Sequence, residues 1–331
     1  MRSIKTDRRI KAVGLLSGGL DSTLAARLLL DQQIEVHAIN FTSPFCLCTP
    51  KKAGCASAIT AVRELGNIPL KQIALKDEYL EMVSNPRHGY GSGMNPCIDC
   101  RIIKIKRAGE YMRKIGASFL FTGEVLGQRP MSQHRQAIDV IDRDSGLQGY
   151  ILRPLSAAHF KPTIPELKGW VQRSKLLGIS GRSRKKQMAL AAEKGIRDYP
   201  CPAGGCLLTD KNFAKRLSDY FKFQGKPTMR DIPLLRVGRH FRLESGDKVI
   251  IARDEQECKR LRNLCRKTEH LLVPFDFLGP VVVLQGDSLK IALEKMLQYT
   301  KRSVQISSRV THLFMGRRET ITPREHYIGI G

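Results

Sequence analysis

Residues 12–22 read AVGLLSGGLDS, a short apolar segment that leads into two glycines and then into a helical pattern. Lys11 to Leu16 has the composition of a buried strand, and Asp21 to Asp31 carries leucines at helical spacing. Glycine lets a backbone approach an anion closely, and the free amides at a helix start favour negative charge. The stretch therefore predicts a pyrophosphate-binding loop, formed by Ser17, Gly18, Gly19, Asp21 and Ser22.

This loop differs from other glycine-rich phosphate loops. It lacks the lysine of a Walker A loop and the GxGxxG pattern of a dinucleotide site. Kinase, GTPase and dehydrogenase functions are therefore disfavoured. The alternative is a glycine turn with no ligand, which the position at a strand-to-helix junction argues against.

The first half of the chain alternates apolar bursts with helical patterns. Such alternation is typical of parallel strands joined by helices, so we expect an α/β fold with a doubly wound parallel sheet. A basic helix, apolar on its other face, is expected to begin at Cys100. The further strands are expected at Glu35–Phe41, Leu70–Leu75, Ser118–Thr122 and Tyr150–Leu152.

At 331 residues the chain exceeds what a single core usually organises, so more than one domain is expected. We expect the sheet domain over 1–159, a helical connector with a basic run over 160–210, and a smaller α+β domain over 211–331. The last should contain a hairpin of Arg236–Arg242 with Lys248–Arg253, a strand at Val281–Leu284, a helix at Ser288–Tyr299 and a basic tail.

Net charge is the strongest bulk signal. With 56 Lys and Arg against 31 Asp and Glu, the charge of +25 indicates a polyanionic partner, most simply a nucleic acid. No apolar run approaches a bilayer span, no signal-peptide cleavage site is present and only one tryptophan occurs, so a cytoplasmic protein without membrane docking is expected. The candidate nucleic-acid contacts are Arg182, Arg184, Lys185, Lys186, Arg236, Arg239, Arg317 and Arg318.

Nine cysteines, an odd number, argue against a disulfide framework and raise metal or thiol chemistry. Cys97 and Cys100 lie three apart at a helix start, where the helix dipole lowers thiol pKa values. Cys201 and Cys206 flank two glycines. Four such thiolates can hold zinc, three can hold a 4Fe-4S cluster with one iron open, or one thiol can carry a persulfide that another resolves.

The other cysteines are weaker candidates. Cys46, Cys48 and Cys55 lie in the loop after the second strand, and we expect no ligand role for them. Cys258 and Cys265 share a helix face with Leu261, which favours burial.

The SGGLDS motif after an N-terminal strand resembles the PP-loop of ATP pyrophosphatases. The resemblance implies that the loop holds the pyrophosphate end of ATP and that Asp21 helps to place Mg²⁺. It also implies nucleotide contacts from Asn40 and Phe41, which follow the second strand, and from Gly123 after the fourth.

The NPC and GGC motifs around Cys97 and Cys206 resemble the paired cysteine motifs of tRNA thiouridylases. In the common pattern an aspartate stands at the position of Cys97, while Cys100 and Cys206 match the family's cysteines. A third thiolate here favours a 4Fe-4S cluster held by Cys97, Cys100 and Cys206, with Cys201 as a fourth ligand, a sulfur carrier or a bystander. The resemblance implies catalysis by Cys100, Cys206, Cys201 and Asp21.

The C-terminal region resembles an NFACT-type RNA-binding domain. Together the resemblances imply ATP-dependent thiolation of a tRNA uridine and do not fix the uridine, the sulfur donor or the oligomeric state. The rivals are a PP-loop enzyme that adenylates for amidation, a sulfonucleotide reductase, and a non-catalytic RNA-binding protein with structural zinc.

Overall fold

A computed structural model describes residues 9–47, 56–199, 205–300 and 307–323. The chain divides into two compact units, Met1–Ala214 and Lys215–Gly331. Across the described ranges, no helix is both long enough and apolar enough to cross a membrane. Cys48, Cys55 and Cys201 lie outside the described residues.

The first unit is built on a five-stranded parallel sheet with strand order β3-β2-β1-β4-β5. Its strands are β1 (Lys11–Leu15), β2 (Glu35–Thr42), β3 (Leu70–Ala74), β4 (Phe119–Thr122) and β5 (Ile151–Leu152). Its helices are α1 (Leu20–Leu30), α2 (Ala56–Glu64), α3 (Asp77–Ser84), α4 (Cys97–Lys114), α5 (Arg135–Asp144), α6 (Ile164–Leu167) and α7 (Lys185–Glu193). Helix α8 (Lys211–Gln224) contains the division between the units.

Both faces of this sheet are covered, because successive strand residues point to opposite sides. Along β1, Ala12 joins one buried cluster together with α1 and α7, while Val13 and Leu15 join a second cluster with α4. The doubly wound α/β fold predicted from the sequence is confirmed.

The strand order places the phosphate loop at a switch point of the sheet. Successive strands run outward from β1 to β3 on one side, and the chain then returns to pair β4 on the other side of β1. Loops that leave the carboxyl ends of β1 and β4 therefore meet at one edge, where open α/β sheets bind ligands.

Helix α4 begins three residues earlier than expected. It starts at Cys97 and not at Cys100, because the Pro96 carbonyl accepts the Cys100 amide at 2.8 Å and so closes the first helical turn. The ring of Pro96 lacks an N–H, a loss that costs little at a helix start. Both cysteines of the NPCIDC motif thus lie in the first turn of α4.

The second unit is a six-stranded antiparallel sheet with strand order β11-β10-β8-β9-β7-β6. Its strands are β6 (Arg239–Arg242), β7 (Lys248–Ile251), β8 (His270–Pro274), β9 (Val282–Gln285), β10 (Val310–Phe314) and β11 (Arg317–Ile321). Its remaining helices are α9 (Asp231–Leu235), α10 (Glu255–Leu264) and α11 (Leu289–Gln298). The α+β class is confirmed.

Two details of this unit differ from expectation. The first hairpin strand begins at Arg239 and not at Arg236, because α9 ends at Leu235 and Gly238 turns the chain at a φ of +82°. The described part of the basic tail forms a β-hairpin. The chain turns at Met315 and Gly316, both at positive φ, and β11 pairs with β10.

Candidate functional site

The phosphate loop is a short connection between the end of β1 and the start of α1. Gly18 has a φ of +80°, and a Cβ there would lie 2.3 Å from the backbone of Ser57, so only glycine fits. The Ser17 and Ser22 hydroxyls lie 3.2 Å apart, and the Gly19 carbonyl accepts the Ser22 hydroxyl at 2.9 Å. The loop presents hydroxyls and the helix start together, which suits an anionic ligand.

Asp21 has an incompletely satisfied carboxylate in the first turn of α1. Its Oδ2 accepts from the Gln128 amide at 3.1 Å, while its buried Oδ1 has no hydrogen-bond partner within the part of the chain that the structure describes. Burial raises the pKa of Asp21, against the lowering effect of the Gln128 hydrogen bond and of Arg184 and Arg129. An unpartnered carboxylate oxygen beside a phosphate loop fits a Mg²⁺ ligand.

The basic run of the connector reaches this loop. Helix α7 packs against α1, and Arg184, its N-cap residue, lies close enough to Asp21 to lower its pKa. The fully buried Gln187 side chain also lowers the pKa of Asp21, and the Arg184 Nε has no hydrogen-bond partner among the described residues. Arg184 therefore lies near the phosphate loop, whereas Arg182, Lys185 and Lys186 are exposed.

Of the three residues expected to contact the nucleotide, Gly123 follows its strand as expected and the other two do not. Asn40 and Phe41 lie inside β2, which extends to Thr42, and do not follow it. The buried Asn40 amide donates to the Leu16 carbonyl at 2.8 Å and so fixes the end of β1, while Phe41 packs into a core cluster. Gly123 lies against α1, since a Cβ there would be 2.4 Å from the Ser22 amide.

Cys100 has an activated thiol environment. Its Sγ accepts from the Tyr79 hydroxyl of α3 at 3.1 Å. Burial opposes ionisation of this thiol, but Lys104, the Tyr79 hydrogen bond and Arg101 outweigh burial and lower the pKa of Cys100. Burial, with the neighbouring thiols, raises the pKa of Tyr79, so the phenol keeps its proton and donates it. Cys100 is thus more readily ionised, and more nucleophilic, than an ordinary buried cysteine.

Cys206 is brought to Cys100 across the sequence by backbone pairing. The segment after the glycines returns alongside the NPC loop, where the Met94 amide donates to the Leu208 carbonyl at 2.9 Å. Burial raises the pKa of Cys206 to about 12, and Cys100 and Cys46 contribute to the rise. Cys206 is therefore a neutral thiol when Cys100 ionises.

Cys46 belongs to the same group of thiols, which the sequence did not predict. It forms an isolated antiparallel bridge with Cys206. The buried ring of Phe45, its neighbour, lies 6.1 Å from the Tyr79 ring and 5.9 Å from the Phe213 ring. We call Cys46, Cys100 and Cys206 the thiol cluster. The one signal for Cys46 was its position just after a strand at the ligand-binding edge.

Cys97 has a different neighbourhood from the thiol cluster. Its Sγ accepts from the Asn95 amide at 3.2 Å. Among the residues that the structure describes, no three His, Cys, Asp or Glu side chains converge as metal ligands. The described arrangement therefore does not present the three-thiolate set of Cys97, Cys100 and Cys206 that a 4Fe-4S cluster requires.

A buried network of charged side chains lies between the two parts of the site, and the sequence did not predict it. Arg153 of the LRPL segment donates to Glu124 at 3.0 Å and to both oxygens of Asp142 at 2.9 and 2.7 Å. Glu124 also lies 3.2 Å from Arg101, the residue after Cys100. Because Glu124 follows Gly123, the network connects the thiol cluster to the strand end beside the phosphate loop.

The second unit carries a cationic aromatic surface. Phe241 and Tyr299 lie with ring centroids 5.7 Å apart. Arg239 stands over the Tyr299 ring at 4.9 Å and Lys295 over the Phe241 ring at 4.7 Å. We call these four residues the aromatic platform. Arg317 and Arg318 are exposed in β11. Cys258 and Cys265 are partly buried against a core cluster of this unit.

Two family models match the chain. Residues 8–167 match the Thiamine biosynthesis protein (ThiI) family, and residues 238–319 match the NFACT protein RNA binding domain. The tRNA-specific 2-thiouridylase MnmA of Listeria monocytogenes is 25% identical over 240 residues, which cover 70% of this chain and 61% of that protein. The chain thus spans about three fifths of this relative's length.

Two solved structures are also similar. A 4-thiouridine synthetase in complex with RNA and bound ATP has 22% identity and a TM-score of 0.39, covering 68% of this chain and 52% of that one. The U34-tRNA thiolase NcsA of Methanococcus maripaludis, solved with its 4Fe-4S cluster, has 21% identity and a TM-score of 0.33, covering 71% and 75%. Residues 8–167 thus resemble PP-loop proteins of the tRNA thiouridylase type, and residues 238–319 resemble the NFACT RNA-binding domain.

Proposed function

We propose that this protein is an ATP-dependent tRNA uridine thiolase. The observation that carries the proposal is that a phosphate loop with an unpartnered carboxylate and a thiol cluster share one edge of a parallel sheet. The loop follows β1, Cys46 follows β2, and Tyr79 follows β3. Since parallel strands end at the same edge, the two sets of groups face one substrate space.

In the first step, the uracil carbonyl oxygen attacks the α-phosphorus of ATP and pyrophosphate leaves. The loop amides and the Ser17 and Ser22 hydroxyls stabilise the charge that develops on pyrophosphate. Asp21 would hold Mg²⁺ at this site, and the ion would supply further neutralisation of the phosphate oxygens. The uracil carbon then bears adenylate as a leaving group.

In the second step, sulfur displaces AMP. The thiol cluster supports a persulfide route, in which the Cys100 thiolate accepts sulfane sulfur from a donor and the terminal sulfur attacks the activated carbon. Cys206 then gives up its proton and attacks the Cys100 sulfur. The S–S bond to the base breaks, the thiouridine leaves with that proton, and a Cys100–Cys206 disulfide forms. Cys201 is left without a part in this scheme.

The cluster route is the alternative for the same step. A 4Fe-4S cluster on Cys97, Cys100 and Cys206 would use the Cys97 sulfur as a ligand, which can keep its hydrogen bond from Asn95. Anaerobic purification with iron and acid-labile sulfide analysis separates the two routes. Colourless, active protein supports the persulfide route, and brown protein with about four irons per chain that loses colour in Cys97→Ser contradicts it.

The partner in this proposal is tRNA, bound in part by the second unit. The aromatic platform combines two rings with two cations, the combination that stacks unpaired bases and contacts phosphates. The excess of basic residues over the whole chain, +25, suits the same partner.

Pyrophosphate release tests the proposal directly. With ATP and tRNA present, Asp21→Asn should lower release by about 10² to 10³, the range found when one charge-stabilising group is lost. Asp31→Asn is the matched control, because this carboxylate lies at the other end of α1 and pairs with Lys194. Undiminished release in Asp21→Asn contradicts the PP-loop assignment.

A further inference from the structure

The pairing of Cys46 with Cys206 has a specific geometry. The Leu47 amide donates to the Gly205 carbonyl at 3.3 Å, and the Leu207 amide donates to the Phe45 carbonyl at 2.9 Å. These two bonds flank the bridge, so Cys46 and Cys206 form a non-hydrogen-bonded antiparallel pair.

Such a pair suits a disulfide. Its Cα atoms lie about 4.5 Å apart with the side chains on the same face. That separation falls inside the window of about 4.4–6.8 Å that disulfides occupy. The two thiols also interact electrostatically, since Cys46 contributes to the raised pKa of Cys206.

Cys100 approaches Cys206 by a different route, from the first turn of α4. Of the two sulfurs in a Cys100–Cys206 disulfide, the one on Cys206 faces Cys46 across the antiparallel bridge, so attack by Cys46 at that sulfur releases Cys100. A Cys100–Cys206 disulfide next to the Cys46 thiol is therefore poised to exchange, with Cys100 as the leaving group.

We propose that Cys46 is the third member of a thiol relay, and that the oxidised site rests as a Cys46–Cys206 disulfide. The Cys46 thiolate attacks the Cys206 sulfur of the Cys100–Cys206 disulfide. The Cys46–Cys206 bond forms, the Cys206–Cys100 bond breaks, and Cys100 leaves as a thiolate ready for the next sulfur. An external dithiol then reduces the Cys46–Cys206 disulfide and becomes a disulfide itself.

The relay rests on the proposed function, but the disulfide pairing does not. The full-length protein can be equilibrated without ATP or tRNA in buffers of oxidised and reduced glutathione. Remaining thiols are alkylated, and the linked peptides are identified by mass spectrometry. In the oxidation, glutathione disulfide takes up the two electrons and two protons that the cysteine pair loses.

We expect Cys46–Cys206 to be the main link in the wild type and in Cys100→Ser. Cys97→Ser is the matched control and should retain the link, because its thiol lies with Asn95. In Cys46→Ser the Cys100–Cys206 link should accumulate instead. Circular dichroism checks that this variant folds, and the wild type and Cys100→Ser decide the pairing without it.

Three results would overturn the inference. They are a Cys100–Cys206 link as the main species in the wild type, a link from Cys206 to any other cysteine, and a Cys206 that stays reduced in the most oxidising buffer. None of them bears on pyrophosphate release, so failure here is distinguishable from failure of the PP-loop assignment.

Discussion

At the scale of single residues, the reactivity of the site is set by what surrounds each sulfur. Cys100 and Cys206 are both partly buried, yet their pKa values move in opposite directions. Lys104, one helical turn after Cys100, lowers the pKa of both thiols, but Cys100 also has hydrogen bonds from Lys104 and the Tyr79 hydroxyl and the charge of Arg101. The fold thus provides one thiolate and one thiol within the same cluster.

This asymmetry predicts a pH-dependent order of alkylation. At pH 8, a small reagent such as iodoacetamide should label Cys100 well before Cys206, whose pKa of about 12 keeps it protonated. Lys104→Met should raise the pKa of Cys100 and move its labelling profile to higher pH. Lys106→Met is the control, because Lys106 is exposed on the same helix. Equal profiles for both variants would contradict this account of the thiolate.

At the scale of helices and strands, much could be predicted because the pattern was local. The AVGLL burst, the glycines and the leucine spacing of α1 lie within twenty residues, and the strand, turn and helix that they predict are present. The hairpin β10–β11 was missed because its strands read as a charged tail: β11 is largely exposed and carries Arg317, Arg318 and Glu319.

The thiol cluster could be predicted only in part, because its members are far apart in the sequence. The CxxC spacing identified Cys100, but the bridge that brings Cys46 to Cys206 joins segments about 160 residues apart. No periodicity signals such a contact. The Arg153 network was also not predicted, since a single arginine directly after an apolar strand does not reveal its partners.

The Arg153 network predicts a large stability effect. Arg153→Met would leave the buried Glu124 and Asp142 carboxylates without their shared partner, and breaking a buried pair in this way costs about 3–5 kcal/mol. Urea denaturation measures the loss. Arg143→Met removes an exposed partner of Asp144 and should cost at most about 1 kcal/mol. Comparable losses in both variants would show that the network is not buried.

Asp219 of α8 predicts how the second unit responds to acid. Burial opposes its charge, but hydrogen bonds from Arg242 and Lys248 prevail and lower its pKa to about 2. A carboxyl with a lowered folded pKa contributes stability that is complete above about pH 5 and is lost as pH falls through the folded pKa. Asp219→Asn should therefore lower the urea midpoint at pH 7, and the difference from wild type should shrink as pH falls from about 5 toward 2. A difference that stays constant over that range would refute this linkage.

At the scale of the whole molecule, the two units carry different parts of the proposed function. The first unit holds the phosphate loop and the thiols, and the second holds the aromatic platform. If tRNA is bound by replacing counterions on its phosphates, affinity should fall steeply and linearly in a plot of log K against log salt. Filter binding or fluorescence anisotropy across a salt series measures the slope.

Substitutions of single arginines test which charges contribute to the salt dependence. Arg239→Gln, which removes one cation from the platform, should reduce the magnitude of the slope by about 1. Arg262→Gln removes the same charge from the exposed face of α10 and serves as the control. A slope near zero in the wild type would instead point to a small uncharged substrate.

The bridge between Cys46 and Cys206 also bears on how the protein is made. A ribosome completes the phosphate loop and its supporting helix early, whereas Cys206 is added when nearly two thirds of the chain exists. Domains generally fold as units during synthesis, and the phosphate loop and Cys206 belong to the same unit, so the site is complete only after Cys206 has been added. Until then Cys46 and Cys100 exist on the nascent chain without their partner, and the surroundings that lower the pKa of Cys100 form only when the unit folds.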